Sequence, residues 1–375
     1  MSLNANARPE NKVLIIAEAG VNHNGEMDLA KKLVDAAKFA GADIVKFQTF
    51  KSENLVSKFA KKADYQMKST GQQENQLQML KRLELSEEEF IELSQYCQSK
   101  QIQFLSTAFD FESLEFLQER IRPELYKIPS GEVTNLPFLY AHGRTHKNII
   151  LSTGMSNMEE VEIALAALTC GFLGEDPKIL GRKDDRSFMK STAAQNYLKE
   201  KVSLLHCTTE YPAPLDQVNL RAMQSMLEKF QLRTGYSDHT EGILIPAAAV
   251  AAGARVIEKH FTLDCNMEGP DHKASLNPQE LTEMVRQIRL IEMALGSATK
   301  AMSEVEGRNA LVVRKSLLAK TKIKKNQVIT EDMITIKRPG DGILPRYYWD
   351  IIGMKADRDY SEDEILEMQI LDLGK

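Results

Sequence analysis

Glu258, Lys259 and His260 stand in succession at the end of an apolar run, "VIEKHFTLD" (256–264). Buried charge there is costly unless it is paired or holds a metal. By strand alternation Glu258 and His260 share one face, and Ile257, Lys259 and Phe261 share the other. Lys259 is expected to carry its ammonium out to water along its own stem. A second histidine, His239, ends the preceding run, "LRTGYSDHT" (232–240). Two imidazoles at the tips of neighbouring strands can meet on one cation, and open positions suit a catalytic divalent metal better than a closed structural zinc. Lys46 in "DIVKFQT" and Lys127 in "LYKIPSGE" read either as an anion clamp or as a Schiff-base nucleophile. Neighbouring Ser and Thr donors favour the clamp, whereas a Schiff-base lysine needs desolvation to lower its pKa.

The same concentration of polar residues closes every other candidate strand. Glu18 ends "VLIIAEAG" (13–20), and Gln48 shares a face with Lys46 in "DIVKFQT" (43–49). Ser106 and Thr107 lie in "QFLSTAF" (103–109), Ser130 and Glu132 in "LYKIPSGE" (125–132), and Ser152 and Thr153 in "NIILSTGM" (148–155). Thr209 and Tyr211 share a face in "VSLLHCTTEYP" (202–212), and Ser237 precedes His239. One such residue is as readily a helix cap as a catalytic group, but agreement across eight strands reads as a catalytic mouth. His206 has the parity of an outward, packed face. His23 either lines the mouth or orders its turn, and His142, His146 and His272 carry no strong signal.

Amphipathic helices alternate with these runs, for example Asp28–Ala40, Ser86–Ser99, Met158–Leu168 and Pro278–Leu295. Ser86 followed by three glutamates starts a helix well. Strand–helix alternation implies a parallel sheet buried on both faces. Eight units in this span predict a closed (β/α)8 barrel with its site at the C-terminal strand ends. Two connections stand out. Residues 50–76 form a long link that suits a binding loop, and 171–195 read as a polar surface excursion without an assigned role.

The boundaries follow from composition. Residues 1–12 are polar and read as a disordered or vector-derived start; 13–296 form the barrel, 297–310 a polar linker, and 311–375 a small strand-rich domain. A net charge of −5 argues against a nucleic-acid face. The four cysteines form no C-x-x-C pair, which fits a reduced, cytoplasmic protein. No run approaches a membrane span or the apolar core of a signal peptide.

Ten motifs in order, "AEAGVNHNG", "VKFQTF", "LSTAFD", "YKIPSGE", "ILSTGM", "LLHCTTEYPAP", "GYSDHT", "IEKHFTLD", "GPDHKAS" and "KRPGDG", closely resemble the bacterial sialic acid synthases and their legionaminic acid relatives. The resemblance runs from Leu14 to the C-terminus. It implies a TIM barrel followed by an antifreeze-like (SAF) domain, in domain-swapped homodimers. It further implies condensation of phosphoenolpyruvate with the open-chain aldehyde of an N-acetylmannosamine-type sugar, with release of phosphate by C–O cleavage. N-acetylneuraminate synthase is the first expectation, and N,N'-diacetyllegionaminate synthase, using 2,4-diacetamido-2,4,6-trideoxymannose, the alternative. By the same resemblance His239 and His260 hold Mn²⁺ (Mg²⁺ or Co²⁺ being substitutes), and Lys46, Thr107, Lys127, Ser130 and Ser237 form the phosphoenolpyruvate pocket. Glu18, Tyr211 and Asp271 bind the sugar, Arg338 reaches in from the partner subunit, and Glu132 is the acid–base carboxylate. Thr209 stands where many members have Asn, Gln72 near an expected sugar-contacting Asn, and Val312 in place of an aromatic. A Schiff-base aldolase and a carbohydrate- or ice-binding protein compete with this reading; the charged, irregular "KSLLAKTKIKKNQVITEDM" disfavours the latter.

Overall fold

A computed structural model of the chain describes residues 12–60, 67, 75–182 and 185–367. The chain divides at Gly296/Ser297 into two compact units. In the first, eight parallel strands close a barrel in sequence order: β1 Leu14–Gly20, β2 Ile44–Thr49, β3 Gln103–Ala108, β4 Leu125–Ile128, β5 Asn148–Ser152, β6 Val202–Cys207, β7 Arg233–Asp238 and β8 Val256–His260. β8 returns to β1 with Leu14 opposite Val256 and Glu18 opposite His260.

Alternation divides each strand between two cores. Outward residues such as Ile15, Val45 and Ile257 pack under the helices. Inward residues Leu14, Ile16, Ile44, Leu105, Leu125, Ile150, Leu205 and Val256 fill the barrel floor. Gly235 completes that floor, since a Cβ there would lie 2.3 Å from the Val256 carbonyl oxygen and 2.8 Å from a Leu205 methyl. Only glycine fits so close an approach.

The helices form where their ends are signalled. Met27–Ala40 stops at Gly41 in the left-handed conformation. Glu87–Ser99 starts on a reciprocal capping box between Ser86 and Glu89. Pro278–Leu295 starts on a capping box between Asn277 and Glu280. Two strands end earlier than alternation alone predicts. β4 stops at Ile128, because Pro129 offers no N–H to the ladder, and Ser130–Glu132 turn into a 3-10 helix. β6 stops at Cys207, leaving Thr209 and Tyr211 on the loop that follows.

The polar excursion proves largely helical. Met158–Leu173 runs past its expected end, and Thr192–Lys201 starts on Ser191 and buries Tyr197 and Leu198. Phe172 and Tyr197 stack with centroids 3.9 Å apart. Of these two anchors only Phe172 lies within the 171–195 run, Tyr197 falling just beyond it, so the run itself shows no helical period.

In the second unit, Ser316–Ala319 (β9) pairs antiparallel with Ile334–Lys337 (β10) over a core that includes Leu317, Ile323, Ile334, Tyr360 and Leu366. A helix, Glu304–Val313, nucleated by a capping box between Ser303 and Glu306, begins inside the expected linker and runs three residues past its expected end. Its Ser-x-x-Glu signature was present in the sequence. Among the described residues no helix is long and apolar enough to cross a membrane.

Candidate active site at the barrel mouth

Two residues above the apolar floor, the inward faces of the strands change character. Ile16 is followed by Glu18, Ile44 by Lys46, Leu105 by Thr107, Leu125 by Lys127, Ile150 by Ser152 and Val256 by Glu258. These six residues, with Ser237 of β7, line one cavity of about 300 Å³. His239, His260, Gln48, Ser130, Thr209, Tyr211 and Asp271 line it too. The structure therefore brings together most of the first-unit residues assigned to the mouth from sequence; Glu132 is not among the lining residues, and Ser106 and Thr153 bond Thr49 and the Leu205 carbonyl instead.

At the base of the cavity Glu258 is held between two buried ammonium groups. Its Oε2 lies 2.7 Å from Lys46 Nζ, its Oε1 3.4 Å from Lys127 Nζ, and Ser237 Oγ donates to Oε1 at 2.9 Å. Glu18 Oε2 lies 3.2 Å from Lys46 Nζ, and Glu18 Oε1 accepts from Gln48 Nε2 at 3.1 Å. Burial works against the Glu258 anion, but Lys127 and Lys46 outweigh it and hold its carboxyl well below the usual range. Burial dominates at Glu18, which lies farther from its cation and is pushed up to about 7. Burial also lowers Lys127, whereas at Lys46 the two carboxylates overcome it and raise the ammonium. Glu258 thus anchors both lysine side chains, a role that sequence alone does not assign to it.

The hydroxyls around this cluster are poised for a ligand. Thr107 Oγ1, Ser152 Oγ and Thr209 Oγ1 are buried without a hydrogen-bond partner, a state that folded proteins rarely leave uncompensated. Ser130 Oγ accepts from Gly154 N at 2.9 Å and meets Cys207 Sγ at 3.0 Å. A Cβ on Gly154 would collide with Thr209, Cys207 and Ser130, so their convergence requires glycine there.

His239 and His260 face each other with ring centroids 5.7 Å apart, and the Tyr211 ring lies 4.2 Å from that of His239. His239 Nδ1 meets the Thr208 carbonyl oxygen at 2.7 Å, which makes Nδ1 the protonated nitrogen and leaves Nε2 as the lone-pair donor. His260 Nδ1 is buried and unpartnered. Burial lowers both, His239 to about 4 and His260 well below the usual imidazole range, the latter also through His239, so both are neutral at physiological pH. This donor set fits a divalent cation held by two imidazoles with its remaining positions open. No cluster of three or more His, Cys, Asp or Glu able to hold a metal occurs among the described residues.

Several sequence expectations change. Glu132 leaves the strand alternation at Pro129, and its carboxylate accepts from Asn135 Nδ2 at 2.7 Å, outside the cavity lining. Lys259 is not solvated: its side chain is fully buried against Asp238. His23 orders its turn, its Nδ1 accepting from Gly25 N at 3.0 Å. His206 is a packed histidine whose Nε2 bonds the Val218 carbonyl. Arg338, in the second unit, is exposed and donates from Nε to the Val313 carbonyl. Gln72 lies outside the described residues. An apolar wall of Phe50, Leu55, Val56, Met79, Leu80 and Phe109 lines the cavity; its first three residues belong to the long connection expected to be a binding loop, whereas Met79, Leu80 and Phe109 had no forewarning.

The fold and the site together define a closed (β/α)8 barrel whose mouth gathers two buried lysines, two carboxylates and two imidazoles in one cavity. Residues 33–300 match the NeuB family and residues 314–369 the SAF domain. The N,N'-diacetyllegionaminic acid synthase of Campylobacter jejuni is 50% identical over 355 residues, spanning 95% of this chain and 99% of that protein. The enzyme of the same name from Legionella pneumophila is 43% identical over 92% of this chain and 91% of its own length. A crystal structure of N-acetylneuraminic acid synthetase from Leptospira borgpetersenii, in complex with citrate, matches with a TM-score of 0.64 and 32% identity, over 80% of this chain and 90% of that one. The chain belongs to the NeuB family and is an enzyme of this sugar-acid synthase type.

Proposed function

We propose that the enzyme condenses phosphoenolpyruvate with 2,4-diacetamido-2,4,6-trideoxymannose to form N,N'-diacetyllegionaminate. The observation that carries the donor half is the buried Lys46–Glu258–Lys127 cluster in one cavity with His239 and His260. For the acceptor, the 50% identity to the Campylobacter jejuni enzyme favours legionaminate over the N-acetylneuraminate that the sequence reading put first. The apolar wall supports the same choice, since it suits the methyl groups of a deoxygenated, diacetylated sugar better than a row of hydroxyls. Lys46 and Lys127 grip the phosphate and carboxylate of the donor, and Thr107, Ser130, Ser152 and Ser237 offer hydroxyls to their oxygens.

C3 of the donor bonds to the aldehyde carbon, whose oxygen takes a proton. Water then adds at C2, and the C2–O bond breaks to release phosphate. A divalent cation, Mn²⁺ in the first instance, held by His239 and His260 would polarise the aldehyde oxygen. Glu132 supports the cationic character at C2 and activates the water once it has released Asn135. Further parts of the reading are a homodimer in which the SAF domain and Arg338 complete the partner's mouth, and a reducing, cytoplasmic setting. The four free cysteines support that setting.

The test is phosphate release from phosphoenolpyruvate with Mn²⁺, with both sugars offered separately. The expected result is a kcat/KM at least about tenfold higher with the diacetamido sugar than with N-acetylmannosamine, and no turnover in EDTA. Preference for N-acetylmannosamine restores the neuraminate reading. Full turnover in EDTA, with pyruvate trapped on the protein by borohydride, establishes the Schiff-base alternative.

A further inference from the structure

Behind the two imidazoles lies a charged cluster that the reaction does not use. Lys259 and Asp238 sit on the faces of β8 and β7 opposite the cavity, directly paired in register. Lys259 Nζ lies 2.6 Å from Asp238 Oδ2, and both side chains are 0% exposed. The same ammonium donates to the Thr240 carbonyl. Thr240 N and Oγ1 in turn donate to Asp238 Oδ1 and Oδ2, each at 3.1 Å. His239 is therefore bracketed in sequence by two residues, Asp238 and Thr240, that are both tied to Lys259, the residue preceding His260.

A buried ion pair of this kind gains little over apolar side chains of the same volume, because desolvation cancels most of the attraction. Its neighbours on the outward face of β8, Ile257 and Phe261, are apolar, so an apolar pair would be the cheaper filling. What the cluster adds is geometry. We propose that Lys259, Asp238 and Thr240 are positioning residues that fix the separation and tilt of His239 and His260. The proposal rests on the reading of those histidines as a cation site, and it concerns residues that never touch cation or substrate.

The experiment uses Asp238→Asn/Lys259→Met, which removes both charges and nearly preserves shape. The control is Asp43→Asn/Arg289→Met, which dissolves a partly buried ion pair elsewhere in the barrel. Metal-free full-length proteins are titrated with Mn²⁺ by the EPR signal of the unbound ion. The His239 ring is followed separately by ¹⁵N NMR, which reports its tautomer without metal. The first double variant should bind Mn²⁺ about 10–100-fold more weakly, the loss typical of outer supports. It should also lose the single Nδ1-protonated pattern of His239. The control should change neither. Lys259→Arg should recover part of the affinity. Unchanged affinity together with an unchanged ring pattern overturns the proposal. Failure of the unmodified protein to bind Mn²⁺ removes the cation reading instead, and the ring pattern then decides the bracket by itself. Should the double variant not fold, Thr240→Val gives the same two readouts with a smaller shift.

Discussion

The floor and the mouth of the barrel are built by the same strands and the same inward faces, two residues apart. The floor is Leu14, Ile16, Ile44, Leu105, Leu125, Ile150, Leu205 and Val256; the mouth replaces them with Glu18, Lys46, Thr107, Lys127, Ser152, Ser237 and Glu258. Backbone geometry is shared, so the contrast isolates what side chains contribute. The floor gains from apolar burial and close packing. The mouth buries two carboxylates and two ammonium groups at a desolvation cost that their mutual pairing only offsets. In this family member, one step along a strand separates stability from chemistry.

That division can be broken from either side. Lys46→Met removes the cation shared by Glu18 and Glu258, and kcat/KM for phosphate release should fall about 10²–10³-fold; retained activity would mean that the mouth is structural. Leu205→Ala opens a void in the floor and should lower stability by about 2–5 kcal/mol in urea titrations. Turnover per folded molecule should persist, and a selective loss of kcat would show that the floor is not passive. The smallest effect belongs to Asp271, whose carboxyl burial pushes from 3.8 up to about 6. The fold favours its neutral form, so stability falls as pH rises between those values and stays at the lower level above them. Asp271→Asn keeps the neutral form, so it should stabilise the protein by about 1 kcal/mol at pH 8, part of the charge being solvated. At pH 4 it should have no effect, and a gain equal at both pH values would remove burial as the cause.

The barrel was legible because eight apolar runs alternate with helices whose starts carry caps, such as Ser86 and Asn277. The inward residues of the mouth were legible for a related reason, since a period of two sorts Glu18, Lys46, Lys127, Glu258 and His260 onto one side. The period fails where the strand ends: Pro129 breaks it, and Glu132 turns to Asn135. It also says nothing of partners. Lys259 was expected to reach water because alternation reveals the face of a residue but not the carboxylate waiting on the next strand. Part of the apolar wall stayed hidden for the same reason: the 50–76 connection signalled Phe50, but Met79 and Phe109 are far from it in sequence and meet it only in the fold. In the second unit, the helix Glu304–Val313 was missed despite its Ser303/Glu306 signature, because its apolar residues give no continuous stripe.

Glu258 occupies both lysines before any substrate arrives. One carboxylate is thus shared by two ammonium groups, and an incoming polyanion competes with an internal anion that is tethered at high effective concentration. Recognition becomes an exchange of anions rather than the filling of an empty cationic well. A simple halide or a stray monoanion gives too little in such a trade, whereas a ligand able to engage both ammonium groups and the spare hydroxyls at once can win it. Under the proposed function, the same arrangement would let the product phosphate be displaced by the protein's own side chain, so that tight capture of the donor need not become slow release.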